Sequence, residues 1–111
     1  ISQSASEFMQ EQHRLALVQN QIGMEVRDAL VTLKAALEQY RVAESGLRVA
    51  LKELSLARER IRTLSSNTLE LANALVSVVR AKDNMIDALF RVNASRVNLA
   101  RAQGQVDQIR N

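Results

Sequence analysis

Apolar residues along the middle of this chain fall into two columns, each with a period of seven. Ala29, Ala36, Ala43, Ala50 and Ala57 form one column, and Val26, Leu33, Tyr40, Leu47, Leu54 and Ile61 form the other. Alternating steps of three and four mark a helix that holds one seam against a partner helix over many turns, and a strict seven-residue repeat predicts a left-handed supercoil. Alanine at one of the two core positions lets the helix axes approach more closely than a leucine seam allows. Phe8, Leu15 and Ile22 occupy the alanine column farther upstream, so wider packing or other neighbours are expected there.

The same alternation resumes after a short polar break. Leu71, Val78, Met85, Val92, Leu99 and Val106 make the large column of a second helix, with Ala74, Ala81, Ala88, Ser95, Ala102 and Ile109 as its small column. Between the helices lies TLSSNT, rich in hydroxyl and amide side chains that compete for helical backbone groups and favour turns and caps. Asn67 followed by Glu70 has the spacing of a capping box. The pattern predicts a first helix over about 7–63, a turn over about 64–67 and a second helix over about 68–109. So short a link forces the two antiparallel. The expected fold is all-α: one long antiparallel coiled-coil hairpin with an alanine-rich heptad seam. Gly46 falls inside the first helix without shifting the repeat, and reads as a close-packing position in a continuous helix.

Each helix is apolar on more than its seam. The first adds Leu30, Leu37 and Leu51 on one flank and Ala35, Val42, Val49 and Leu56 on the other. The second adds Leu75, Val79, Ile86, Leu89, Phe90 and Val97. A lone two-stranded hairpin leaves much of this wet, which implies helices with neighbours on two sides, in a wall of helices or a self-associated bundle.

Composition narrows the function classes. The 111 residues are 47% hydrophobic but only 3% aromatic, with no proline and no cysteine. Disulfides, thiolate chemistry and cysteine metal sites are thereby excluded. The net charge of +3 is too small to argue nucleic-acid binding, and no apolar run approaches the length of a membrane span. The one histidine, His13, reads as a solvated side chain. Scattered carboxylates such as Glu38, Glu44, Glu53, Glu59, Asp83 and Asp87 read as members of helical charge pairs. No phosphate loop, nucleophile motif or metal-spaced set is present, so no catalytic, cofactor or metal residues are expected and the chain does not read as an enzyme. Arg27, Lys34, Arg41, Arg48 and Arg62 form a heptad-spaced basic stripe, read as a solvated face, a surface for an acidic partner or the lining of an aqueous conduit. The polar opening at Ile1 reads as the start of a segment of a larger protein.

The stretch from Gln21 to Ile61 resembles the long helix of the TolC-type outer-membrane efflux proteins. The similarity lies in Glu25-Val26-Arg27-Asp28-Ala29, the heptad alanines and the Leu-Ala-Arg-Glu-Arg-Ile run before the turn. Leu69, Glu70, Leu71, Asn73 and Ala74 occupy the places of that family's segment after the turn. Leu99-Ala100-Arg101-Ala102-Gln103-Gly104 is similar to its closing Leu-x-x-Ala-x-Gly. One departure stands out: the family usually carries a glycine where this chain has Leu64.

The resemblance implies one hairpin of the periplasmic helical tunnel of a Gram-negative outer-membrane channel. Such channels are homotrimers that export small molecules or proteins with a periplasmic adaptor and an inner-membrane transporter. It further implies that the tip, Leu64, Ser65, Ser66, Asn67 and Thr68, faces the adaptor. The segment itself would neither span the membrane nor bind nucleic acid. Two alternatives stay open: the α-hairpin of a membrane-fusion adaptor, suggested by the spacing of Arg60 and Leu64 but opposed by Leu71, and a generic structural coiled-coil module.

Overall fold

The computed structural model describes residues 2–64 and 67–110, and they form an all-α hairpin. Helix α1 runs Ser2–Arg62 and helix α2 runs Thr68–Arg110. With no proline or glycine in its opening turns, α1 begins five residues before the expected Glu7. Gly46 does not interrupt it.

Two compact units make up the chain, Ile1–Leu33 with Ser95–Asn111, and Lys34–Ala94. In the second unit the core is the seam itself. Ala50, Leu54 and Val78 are buried together, with Leu47, Leu71, Ala74 and Ala81 packed against them. Ala43 shares a groove with Ala88, and Ala57 shares another with Ala74. Fourteen residues up α1 match fourteen down α2, which is what a single antiparallel register requires. Arg91 on α2 donates a hydrogen bond to Gln39 on α1 at 3.4 Å. No side chain in the core is large and fully buried, so methyl-sized contacts set the packing here.

In the first unit Ala29 and Ala102 are buried along one shared groove. Ser95 takes the place of alanine in the small column and is buried too. Upstream, residues 3–21 are exposed throughout, and Ile22 is the first half-buried residue. Phe8 and Leu15, the larger knobs of the alanine column, therefore meet no opposing helix in this chain. Of the wider packing or other neighbours expected there, the hairpin itself supplies no wider packing.

The close-packing role expected of Gly46 is also overturned. A Cβ at this position would meet nothing within 4 Å. Gly46 follows Gln39 by seven residues on the solvent-facing side of the alanine column, one step outside the seam.

Candidate functional site

The turn is built from complementary helix ends. At the close of α1 the Thr63 N–H donates to the Glu59 carbonyl at 3.1 Å, the Leu64 N–H donates to the Ile61 carbonyl at 3.0 Å, and the Thr63 hydroxyl donates to the Arg60 carbonyl at 3.1 Å. These bonds satisfy carbonyls that a helix end otherwise leaves to water. Arg60 and Arg62 in the last turn of α1 favour the negative end of its dipole, and Glu70 in the first turn of α2 favours the positive end. Asn67 caps α2, its side-chain oxygen accepting the Glu70 N–H at 3.1 Å.

Leu64 is the one described residue other than glycine with a positive φ, at 58°. It occupies the left-handed position that ends a helix, where glycine is the usual residue because it carries no Cβ. The leucine side chain is 91% exposed, so it gains no burial within the chain to offset the strain. Leu69, on the first turn of α2, is also well exposed. Between helices, the Arg60 guanidinium and the Glu70 carboxylate form an ion pair that bridges the turn.

Of the tip residues expected to face a partner, the structure places Leu64, Asn67 and Thr68 together at this end of the hairpin, all exposed. Asn67 caps α2 and Thr68 is its first residue. Ser65 and Ser66 lie outside the described residues. The Arg60–Glu70 bridge was not anticipated. Its only sequence signal is opposite charges flanking the turn, and that signal is common on helix surfaces.

Three members of the basic stripe enter individual ion pairs. Arg41 meets Glu38 at 3.4 Å, Arg48 meets Glu44 at 3.5 Å and Arg62 meets Glu59 at 3.5 Å, all with well-exposed side chains. Exposed pairs of this kind contribute little to stability. His13 is exposed on the opening stretch of α1. Among the described residues, no group of three or more His, Cys, Asp or Glu side chains is placed to hold a metal, and no helix is long and apolar enough to cross a membrane. The grooves along the hairpin are shallow and open, and most are bounded by alanine with flanking Glu, Asn, Gln and Arg side chains.

Outside the seam, both helices carry exposed apolar side chains on their outer faces. In the second unit these include Val42, Val49 and Leu56 on α1 and Val76, Val79, Ile86 and Phe90 on α2. No protein family, characterised protein or solved structure matches the chain.

Proposed function

We propose that this chain is one stave of the periplasmic helical wall of a TolC-type export channel, with the turn as its adaptor-facing tip. The observation that carries the reading is Leu64. The family pattern places glycine at this position, and Leu64 is the described residue whose backbone takes the conformation glycine favours. A resemblance drawn from residue order and a backbone angle thus point to the same place in the chain.

A second support is the uncovered apolar surface on both helices. A stave standing between other staves needs a thin inner seam and two apolar outer faces, and this hairpin has both. In that setting the chain acts as architecture and performs no chemistry. Its homotrimeric parent would sit in the outer membrane of a Gram-negative cell, with an adaptor and an inner-membrane transporter as partners. The adaptor-hairpin alternative fits less well. Arg60 is engaged with Glu70 across the turn, and Leu71 is half-buried in the seam and not presented at the tip.

The test uses the full-length parent protein. Ser66→Glu with Asn67→Lys is expected to abolish adaptor capture and export while leaving the trimer assembled. Adaptor binding and export at parental levels would contradict the docking role.

A further inference from the structure

The outer face of α2 carries a second seam. Ala72, Val76, Val79, Asp83, Ile86 and Phe90 follow alternating steps of four and three, the spacing that keeps residues on one side of a helix. All are exposed, Phe90 at 73% and Ile86 at 65%. Asp83 is the single charge in this row. The outer face of α1 in the same unit carries Ser45, Val49, Lys52 and Leu56 in the same alternation, all exposed, with Lys52 as its charge. Among the described residues neither Asp83 nor Lys52 enters an ion pair.

We propose that the outer face of α2 docks on the outer face of α1 of a second copy of this chain, antiparallel, with Asp83 against Lys52. That register sets Val79 opposite Leu56, Ile86 opposite Val49 and Phe90 opposite Ser45, and at the end of the row Val76 opposite Glu59, whose carboxylate is held by Arg62. Gly46 adjoins Ser45, and the space a side chain would fill there is open. The largest exposed knob of α2 therefore meets an open site on α1. An interior helical glycine costs about 1 kcal/mol against alanine. Gly23 and Gly104 are equally open, and it is the Asp83–Lys52 register that brings Phe90 to Gly46.

The alternatives fail on charge. Sliding the pair by one heptad in one direction sets Asp83 against Glu59, and in the other direction sets Asp83 against Ser45, with no base to meet its carboxylate. Packing α2 on α2 of the second copy places an aspartate in each seam and no base in either, which leaves carboxylates desolvated and unpaired. Pairing α2 with α1 joins different surfaces of the two copies. Such a contact repeats from copy to copy and closes into a ring when the rotation allows.

The inference concerns contacts between copies and stands apart from the tip, so its test needs no adaptor. Sedimentation equilibrium of the 111-residue chain is expected to show reversible association. Asp83→Lys and Lys52→Asp should each weaken it by about tenfold or more, and the double variant should restore it. Gly46→Leu should also weaken association while raising the melting temperature of the monomer, which separates loss of the seat from loss of the fold. A strict monomer at all concentrations, single reversals that associate like the parent, or a double variant that fails to recover would overturn the proposal. So would undiminished association of Gly46→Leu.

Discussion

At the scale of the residue, Leu64 concentrates the tension between stability and use. An L-residue in the left-handed region crowds its Cβ against the backbone, and this side chain recovers nothing by burial. Leu64→Gly is therefore expected to stabilise the isolated chain by about 1 kcal/mol and to raise Tm by about 4 °C, measured by thermal unfolding followed by circular dichroism. A lower Tm would mean that the leucine makes contacts that hold the turn. The Arg60–Glu70 pair, by contrast, is partly exposed, and its loss belongs with the small effects of surface ion pairs. Leu64 also marks a limit of sequence reading. Its identity argues against a left-handed backbone, and only its position after a run of helix and before a cap argues for one.

At the scale of the element, the alanine columns decide the packing. Ala57 is 2% exposed and lies on the seam facing α2. Ala57→Leu should destabilise the hairpin by about 1–3 kcal/mol through overpacking. Val49→Leu, on the outer face, should change the stability of the monomer by less than about 0.5 kcal/mol. Urea unfolding of the two variants side by side checks the contrast, and equal effects would place the seam elsewhere. The two columns, the turn and the Asn67 cap were legible in the sequence because periodicity and cap chemistry are local. The fate of Phe8 and Leu15 was not. Their period is right, and a period alone does not say whether a partner helix stands opposite. Gly46 was misread for a related reason: a glycine one step off the seam has the same sequence signature as one inside it, and only the direction of its missing Cβ separates the two.

At the scale of the whole molecule, what matters is how much apolar surface the hairpin leaves uncovered. A helix that ended its work at one seam would carry charge everywhere else. Here exposed valine, leucine, isoleucine and phenylalanine continue along the outer faces of both helices, and the scattered ion pairs do not cover them. The candidate tip was legible as a cluster of turn-forming residues. The bridge that ties it together, and the matching of Phe90 to the open site at Gly46, depend on which side chains share a face. All of the functional reading rests on the two helices running antiparallel with their alanines turned inward. Because the chain contains no cysteine, the most direct check is a paired replacement, Ala57→Cys with Ala74→Cys, oxidised at high dilution and read by mass. Two opposed seam positions are expected to join within a single chain in high yield, since a disulfide tolerates only a narrow range of separations. Cysteines that stay reduced, or that link only one chain to another, would contradict the account.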